Sequence, residues 1–305
     1  MNTRTRAHLI LFFTALIWGL SFASQAAAMD YLPPFAFNAI RYLLGALVLL
    51  PLILFRKTTF DRHQVLTGLL IGLVLTTASS LQQVSLQVAS AGKAGFITGL
   101  YIVFVPFLAR FAGEKVNPRQ FIALALALAG LALMSLTEGG GLDWPDFFLL
   151  ICAVLFAVHI ILIERRAKGL DSLALAFVQF VTAGSLAILL SLIFGETLSW
   201  VNVKASMGSI LFVGIFCCGL AYTLQIVGQK GSDPTTASLI MSLESVFAVI
   251  GGALFLGERL SARQLWGCAF ILAAVVYSTI LDSKNRNSLH KEDLSNVEET
   301  STNNS

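Results

Sequence analysis

The sequence predicts an all-α integral membrane protein in which ten transmembrane helices form two inverted five-helix repeats. Three observations carry that expectation. The first is composition: of 305 residues only 12% are charged and 56% are hydrophobic, with a mean hydropathy of +0.81. A soluble chain carries about twice that charge, so most of this surface must face hydrocarbon. The second is a series of apolar stretches, each near the ~20 residues a helix needs to cross a bilayer. The third is an internal duplication.

The stretches, in order, are 8–28, 34–55, 65–87, 92–112, 118–137, 146–163, 172–194, 206–228, 235–256 and 261–281. Turn and charge signals at Asp30–Pro34, Phe55–Gln64 and Gly113–Pro118 separate them. Such short connections leave no room for an extramembrane domain. The first stretch imitates a secretory leader, with Arg4 and Arg6 ahead of an apolar run and Ala26-Ala27-Ala28 behind it. Its length, its polar residues Ser21, Ser24 and Gln25, and the need of the repeat for a partner helix favour a retained span. The expected organisation is a cytoplasmic N-terminus (1–7), a first repeat (8–137), a second repeat (146–281) and a tail (282–305). The polar tail has too little apolar surface to fold and is expected to be disordered.

Charge sets the orientation. Of the 20 Lys and Arg residues, Lys93, Lys204, Arg259 and Arg263 fall in loops on one side and Arg41 lies within a span. The other fifteen fall on the side of the termini. Inner loops carry the excess of Lys and Arg, so both termini are expected in the cytoplasm of a cell-membrane protein.

The duplication is explicit at two places. Gly113-Glu114-Lys115-Val116-Asn117-Pro118-Arg119-Gln120 returns as Gly257-Glu258-Arg259-Leu260-Ser261-Ala262-Arg263-Gln264, with four of eight positions identical. Upstream of these, Gln83 and Gln87 are echoed by Gln225 and Gln229. Five spans per half make the halves insert with opposite orientation. That is the architecture of secondary transporters, whose binding sites lie near the midplane between the halves.

Other function classes find little support. The net charge of +3 is small and scattered, which argues against nucleic acid. Cys152, Cys217, Cys218 and Cys268 sit in apolar runs without paired spacing, so neither a zinc site nor a disulfide framework is expected. No Walker motif is present, so ATP does not drive the protein directly. An intramembrane enzyme would need a nucleophile–base pair or a metal set, and the sequence offers one intramembrane His, one intramembrane acid and no HExxH. A channel or structural membrane protein, the remaining alternative, has no need of duplicated, oppositely inserted halves. No cofactor and no metal are expected.

The chain resembles the EamA family of the drug/metabolite transporter superfamily. The likeness is carried by Trp18-Gly19 with Ser21, by Pro34-Phe35 followed by Arg41, and by Ala94-Gly95-Phe96-Ile97-Thr98-Gly99-Leu100 with Pro106. It extends to Ser242-Leu243-Glu244 and Gly257-Glu258-Arg259-Leu260. The resemblance implies a ten-helix permease that moves small metabolites, usually outward. One position departs from the pattern: the family commonly has Pro after the ninth-span Glu, and here Ser245 stands there. The resemblance therefore does not carry a helix break at that point.

Polar residues inside hydrocarbon mark the candidate pathway, because each costs at least ~2.5–3.5 kcal/mol when charged. Glu244, about ten residues into the ninth stretch, suits proton exchange or pairing with an ammonium group. Arg41 offers a fork for a carboxylate or a structural anchor for loop carbonyls. His159, midway along the sixth stretch, is suited to titration or to one interhelical hydrogen bond. Gln83 and Gln87 share a helical face with Ser79 one turn earlier, and Tyr222 and Gln225 repeat the pattern. Trp18, Asn38 and Tyr101 complete a candidate chamber with polar faces on spans one, three, six and eight. The expected function is a secondary transporter that exports a small metabolite, such as an amino acid or related compound, by alternating access. Its partners are that small molecule and the bilayer, and both proton coupling and a homodimer are compatible with the sequence.

Overall fold

Hydrocarbon offers no partner to a backbone N–H or C=O, so a chain of this composition must satisfy those groups within helices. The computed structural model describes residues 3–111, 113, 118–135, 143–255 and 261–281, and among them there is no strand. The long helices are α1 (Thr3–Met29), α2 (Pro34–Arg56), α3 (Arg62–Ser85), α4 (Ala91–Phe111), α5 (Gln120–Ser135), α6 (Trp144–Arg166), α7 (Ser172–Ile193), α8 (Met207–Gln229), α9 (Pro234–Phe255) and α10 (Ala262–Leu281), with one short turn of helix, Trp200–Ala205, between α7 and α8. Nine of these ten are long and apolar enough to cross a membrane, and α5 is a shorter apolar helix. The repeated octapeptide falls partly outside the described residues, and the tail expected to be disordered lies wholly outside them.

Caps fix the starts of several helices. Asp61, Ser90, Asp171 and Asp233 each accept a hydrogen bond from the backbone N–H three residues on, at 2.8, 3.2, 2.9 and 2.8 Å. Pro34, Pro145 and Pro234 occupy first-turn positions, where no N–H is needed.

Three helices depart from regularity. In α4 the regular run stops at Leu100, between Ala91–Gly99 and Tyr101–Phe111. The hydrogen bonds there tighten to three-residue spacing, Leu100 N–H to Ile97 at 3.1 Å and Val103 N–H to Leu100 at 2.9 Å. In α9 the interruption falls at Ser242, between Pro234–Met241 and Leu243–Phe255. No proline is involved. The hydroxyls of Ser238 and Ser242 donate to carbonyls three residues back, at 2.8 and 2.7 Å, and so compete with the helical ladder. The helix breaks here even though Ser245 replaces the proline common in the resembling family. In α8 the stretch Phe212–Tyr222 is a π-helix.

Helices pack chiefly on partners from the other set of five. α1 lies on α8 and α9, α6 on α3 and α4, α2 on α7 and α8, and α3 on α7. Exchange the two sets, and α1–α9 becomes α6–α4, α2–α8 becomes α7–α3, and α2–α7 maps onto itself. Glycines permit two of the close approaches. A Cβ on Gly19 would lie 2.5 Å from the Glu244 carbonyl oxygen, and one on Gly99 would lie 2.6 Å from Ser245 Oγ. The second approach lets the Ser245 hydroxyl donate to the Gly95 carbonyl at 3.0 Å, stitching α4 to α9 beside their interruptions.

Candidate functional site

The interrupted helices meet around a central cavity, and the spacing of residues on each helix explains what reaches it. From α1 come Trp18, Ser21, Phe22 and Gln25, a set at three- and four-residue steps that shares one face. α2 contributes Arg41, α3 Gln82, and α4 Thr98 and Tyr101 on either side of its break. α6 adds Phe156 and Ile160, one turn apart, and α9 adds Glu244, two residues past its own break. The π segment matters in α8. Cys217 and Tyr222 are five residues apart, a spacing that π geometry brings to one face, and with Gln225 they complete the wall.

A chain of hydrogen bonds orders the first half of this wall. Gln25 Nε2 donates to Ser21 Oγ at 2.9 Å, whose hydroxyl donates to the Trp18 carbonyl at 2.7 Å. Arg41 Nη1 donates to Gln25 Oε1, and Nη2 donates to the Tyr42 hydroxyl at 3.1 Å. The guanidinium also lies 4.8 Å from the centre of the Tyr42 ring and 5.6 Å from that of Phe37, distances at which a ring face attracts a cation. Gln82 Nε2 donates to Thr98 Oγ1 at 3.2 Å. Tyr222 sits at the centre of an aromatic cluster, with ring centroids 4.7 Å from Trp18, 6.0 Å from Phe180 and 6.5 Å from Tyr42.

What the wall leaves unsatisfied defines its chemistry. Trp18 Nε1, Arg41 Nε and Gln225 Oε1 are buried without a hydrogen-bond partner, while the Tyr101 hydroxyl and the Glu244 carboxyl face each other across the wall. Orphaned polar atoms are costly, more so in a dry interior. Among the described residues no carboxylate pairs with Arg41 and no Lys or Arg pairs with Glu244. The cavity thus holds one unpaired basic group and one unpaired acidic group, with donors and acceptors between them. Its free volume is about 30 Å³, room for two or three waters and too little for an organic metabolite. Among the described residues no three His, Cys, Asp or Glu side chains gather in a way that could hold a metal.

Six of the residues expected from sequence therefore line one cavity: Trp18, Arg41, Tyr101, Tyr222, Gln225 and Glu244. Five do not. Gln87 is exposed, because α3 ends at Ser85 and the helical face assumed for Gln83 and Gln87 does not extend that far. Gln83 is buried behind the wall, donating to the Gln25 carbonyl at 3.5 Å. Ser79 donates to the Thr76 carbonyl at 3.2 Å, and Asn38 is fully buried outside the lining. His159 is fully buried with Nε2 3.4 Å from Gln179 Oε1 and its ring 6.3 Å from that of Tyr222. The expected polar face on the sixth span is corrected accordingly: α6 presents Phe156 and Ile160 to the cavity, and His159 stands on the flank between them, towards α7. Gln25 could have been found from the sequence, since it stands seven residues after Trp18 on the same face. Nothing in the sequence marks Cys217, because the π register is invisible to a period of 3.6.

Comparison with known proteins agrees with this architecture. A model of the EamA-like transporter family matches residues 5–136 and again residues 143–280. An uncharacterized transporter of Archaeoglobus fulgidus is 30% identical over 278 residues, covering 90% of this chain and 85% of that one. An S-adenosylmethionine/S-adenosylhomocysteine transporter of Chlamydia muridarum is 30% identical over 287 residues, covering 86% and 88%. The inner membrane transporter YedA of Escherichia coli K12, itself uncharacterized, is 24% identical over 276 residues, covering 88% and 89%. A protein of solved crystal structure shares the fold with a TM-score of 0.77 at 23% identity, over 92% of this chain and 99% of that one.

Proposed function

The chain belongs to the EamA-like transporter family, and on that premise we propose that it carries a small zwitterionic metabolite of the amino-acid class by alternating access. It is a multi-pass membrane transporter of small molecules, and its relatives are named as transporters. The finer reading rests on one observation: Arg41 and Glu244 line the same cavity and neither has an opposite charge beside it. A substrate carboxylate would complete the Arg41 fork, and a substrate ammonium would complete Glu244. The name of the Chlamydia muridarum relative agrees, since S-adenosylmethionine and S-adenosylhomocysteine both carry an α-amino-acid group. Glu244 is also the group we propose to exchange a proton during the cycle.

The two sets of five helices are read as inverted repeats. The interchangeable packing of α1–α9 and α6–α4, and the interruptions in both α4 and α9, support that reading. The Lys and Arg distribution supports cytoplasmic termini in the cell membrane, and in that orientation we propose export. The near-empty volume of the cavity fits a contracted stage of the cycle, in which helix movement must precede substrate entry.

The test is competition for saturable flux in sealed proteoliposomes. An α-amino acid, or S-adenosylmethionine, should inhibit at least about tenfold more strongly than its decarboxylated amine or its deaminated acid, each lost pole removing one charged contact of ~1.4 kcal/mol or more. Equal inhibition by either single-pole analogue would remove the zwitterion reading. Flux that does not saturate would point to a channel.

A further inference from the structure

Besides the central cavity the bundle carries a second and larger hollow on its outer surface, where the ends of α2 and α8 meet the start of α7. Its volume is about 470 Å³, within the range of small-molecule sites. The mouth is built from the ends of three spans on the face predicted to be cytoplasmic. Arg56 is the last residue of α2, Asp171 caps α7, Ser172 opens it, and Lys230 directly follows α8. From there the hollow runs into the membrane. Leu52 lies one turn before Arg56, and Thr223 lies seven residues before Lys230, about 10 Å of helix. A polar mouth thus gives way to an apolar floor at the depth where headgroups give way to hydrocarbon.

The cations at the mouth lack counter-charges. Lys230 Nζ donates to the Leu170 carbonyl, a neutral partner. Arg56 is exposed, and among the described residues no carboxylate lies within ion-pair distance of either cation. Partial burial pulls the Lys230 ammonium below its ordinary value, and the nearby Asp171 offsets part of that. Asp171 is itself engaged, its Oδ1 accepting the Ala174 N–H at 2.9 Å. With two cations and one carboxylate, the mouth keeps an excess of positive charge. The floor is not covered by protein. Leu52 and Val227 are exposed, and so are Leu220 and Phe216 farther along α8. A soluble anion would gain nothing from that seam, whereas a phosphate that carries acyl chains would bury them along it.

The corresponding helix ends at the opposite face lack these charges. Phe194 stands as far past Ser172 as Arg56 stands past Pro34, and Val88 follows Gln87 as Lys230 follows Gln229. Apolar residues thus replace both cations. Beside the start of α2, Glu196 adds a negative charge, accepting the Phe35 and Ala36 N–H groups at 3.1 and 2.7 Å.

We propose that the hollow between α2, α7 and α8 binds an anionic phospholipid of the adjoining leaflet, its phosphate held between Arg56 and Lys230 and its acyl chains laid over Leu52 and Val227. The guanidinium offers a fork that matches phosphate oxygens, the ammonium a point charge, and the Ser172 hydroxyl a further donor. Basic pockets between spans on the cytoplasmic side hold such headgroups. Thr223 of the floor and Tyr222 of the central cavity are neighbours on α8, so the lipid braces the back of a helix that forms the transport site. The inference rests neither on the identity of the substrate nor on alternating access.

The test offers the whole chain, purified in a neutral detergent, phosphatidylglycerol and phosphatidylcholine at equal concentration, and counts bound lipid by native mass spectrometry. The parent should retain phosphatidylglycerol over phosphatidylcholine at least about tenfold, two cations acting together. Arg56→Gln with Lys230→Gln should bring the ratio to within about threefold of unity. Arg165→Gln with Arg166→Gln removes the same charge from the same face, at the end of α6 and outside the hollow, and should keep the preference. Val227→Trp keeps both cations and fills the floor, and should lower phosphatidylglycerol retention at least about threefold. Equal retention of the two lipids by the parent, or no change in Val227→Trp, overturns the proposal. An equal loss in the Arg165 and Arg166 pair overturns it too, by making the attraction a property of the whole basic face. So does displacement of the lipid by glycerol phosphate at a matching concentration, which would make this a site for a soluble anion. If the Arg56 and Lys230 double variant does not fold, Arg56→Gln alone must lower the ratio at least about threefold, and its failure to do so is equally fatal.

Discussion

The two halves of the bundle place their side chains alike and then differ in what those side chains are. Arg41 and Gln179 each stand seven residues into their helices, counted from Pro34 and Ser172, and Tyr42 and Phe180 each stand eight. Going back from the same starts, Trp18 answers Phe156 and Phe22 answers Ile160, and all four line the cavity. Ser21 answers His159. The apolar scaffold is thus nearly interchangeable, while the polar pairs are not. Arg41 with Gln25 opens onto the cavity, whereas Gln179 with His159 is fully buried behind it. The same contrast returns at the interruptions. Leu100 and Glu244 each lie thirteen residues before the glycine that opens the repeated octapeptide. Each half contributes one charged group where the other has a neutral one, so a pseudo-symmetric frame encloses a polar, asymmetric site. A symmetric cavity would suit a substrate with two like ends, whereas on the proposed zwitterion reading this one takes a substrate with two unlike ends.

The comparison breaks most completely if the halves are not inverted. Pro118 and Ala262 occupy equivalent places in the octapeptide, and both are exposed. Pro118→Cys and Ala262→Cys, each as the sole cysteine, should label from opposite sides of the membrane in an all-or-none fashion. Labelling of both from one side would end the inverted reading, and with it every correspondence drawn between the halves.

Next in size is the contrast between Arg41 and Gln179. Arg41→Gln gives the first half the residue of the second and removes the charge and one prong of the fork. A hydrogen bond to a charged group is worth about 1.5–3 kcal/mol, so flux of a zwitterion should fall about a hundredfold, ~2.7 kcal/mol, with insertion unchanged. Arg41→Lys should recover only part of the loss, because a point charge does not reproduce the planar fork. Flux within threefold of the parent in Arg41→Gln would make the arginine an anchor for Gln25 and Tyr42 and nothing more.

Glu244→Gln sharpens the same point in the other half. It retains volume and hydrogen bonding and removes charge and titration. Flux should fall about tenfold, equivalent to about 1.4 kcal/mol, or should lose its dependence on pH. Normal flux with an unchanged pH profile would leave Arg41 as the sole charged group of the site.

Much of the fold was legible because apolar length and an imperfect duplication are written along the chain. The candidate cavity was legible where residue type and position alone marked its lining. Arg41, at a fixed distance from the proline that opens α2, and Glu244, the one acid deep in an apolar stretch, both line the cavity. The sequence misled where the helices depart from a period of 3.6 or end early. Gln87 falls beyond the last turn of α3, and the π segment of α8 brings Cys217 into the wall. The interruption of α9 was hidden for another reason: serine hydroxyls create it where a proline was the expected signal.

The smallest expected effect belongs to His159, and it tests whether the polar pair behind the second half has been read correctly. The ring is fully buried, with one nitrogen 3.4 Å from Gln179 Oε1 and the other, Nδ1, without a partner. It lies outside the cavity wall, separated from it by Tyr222, whose ring it meets edge to face. A histidine that relayed protons would need a second hydrogen-bonded neighbour leading towards Glu244, and its Nδ1 has none. His159→Asn keeps a group able to bond Gln179 and removes titration near neutral pH. Flux and its pH profile should stay within about twofold of the parent, since a single interhelical hydrogen bond in the membrane is worth about 0.6 kcal/mol. His159→Phe, which leaves Gln179 without a partner, should instead lower thermal stability while flux per inserted protein changes little. A loss of tenfold or more in His159→Asn, at normal insertion, would put the imidazole back in the proton pathway. The two polar pairs would then be two working parts of one mechanism, and the asymmetry between the halves would lie in their chemistry rather than in whether they take part.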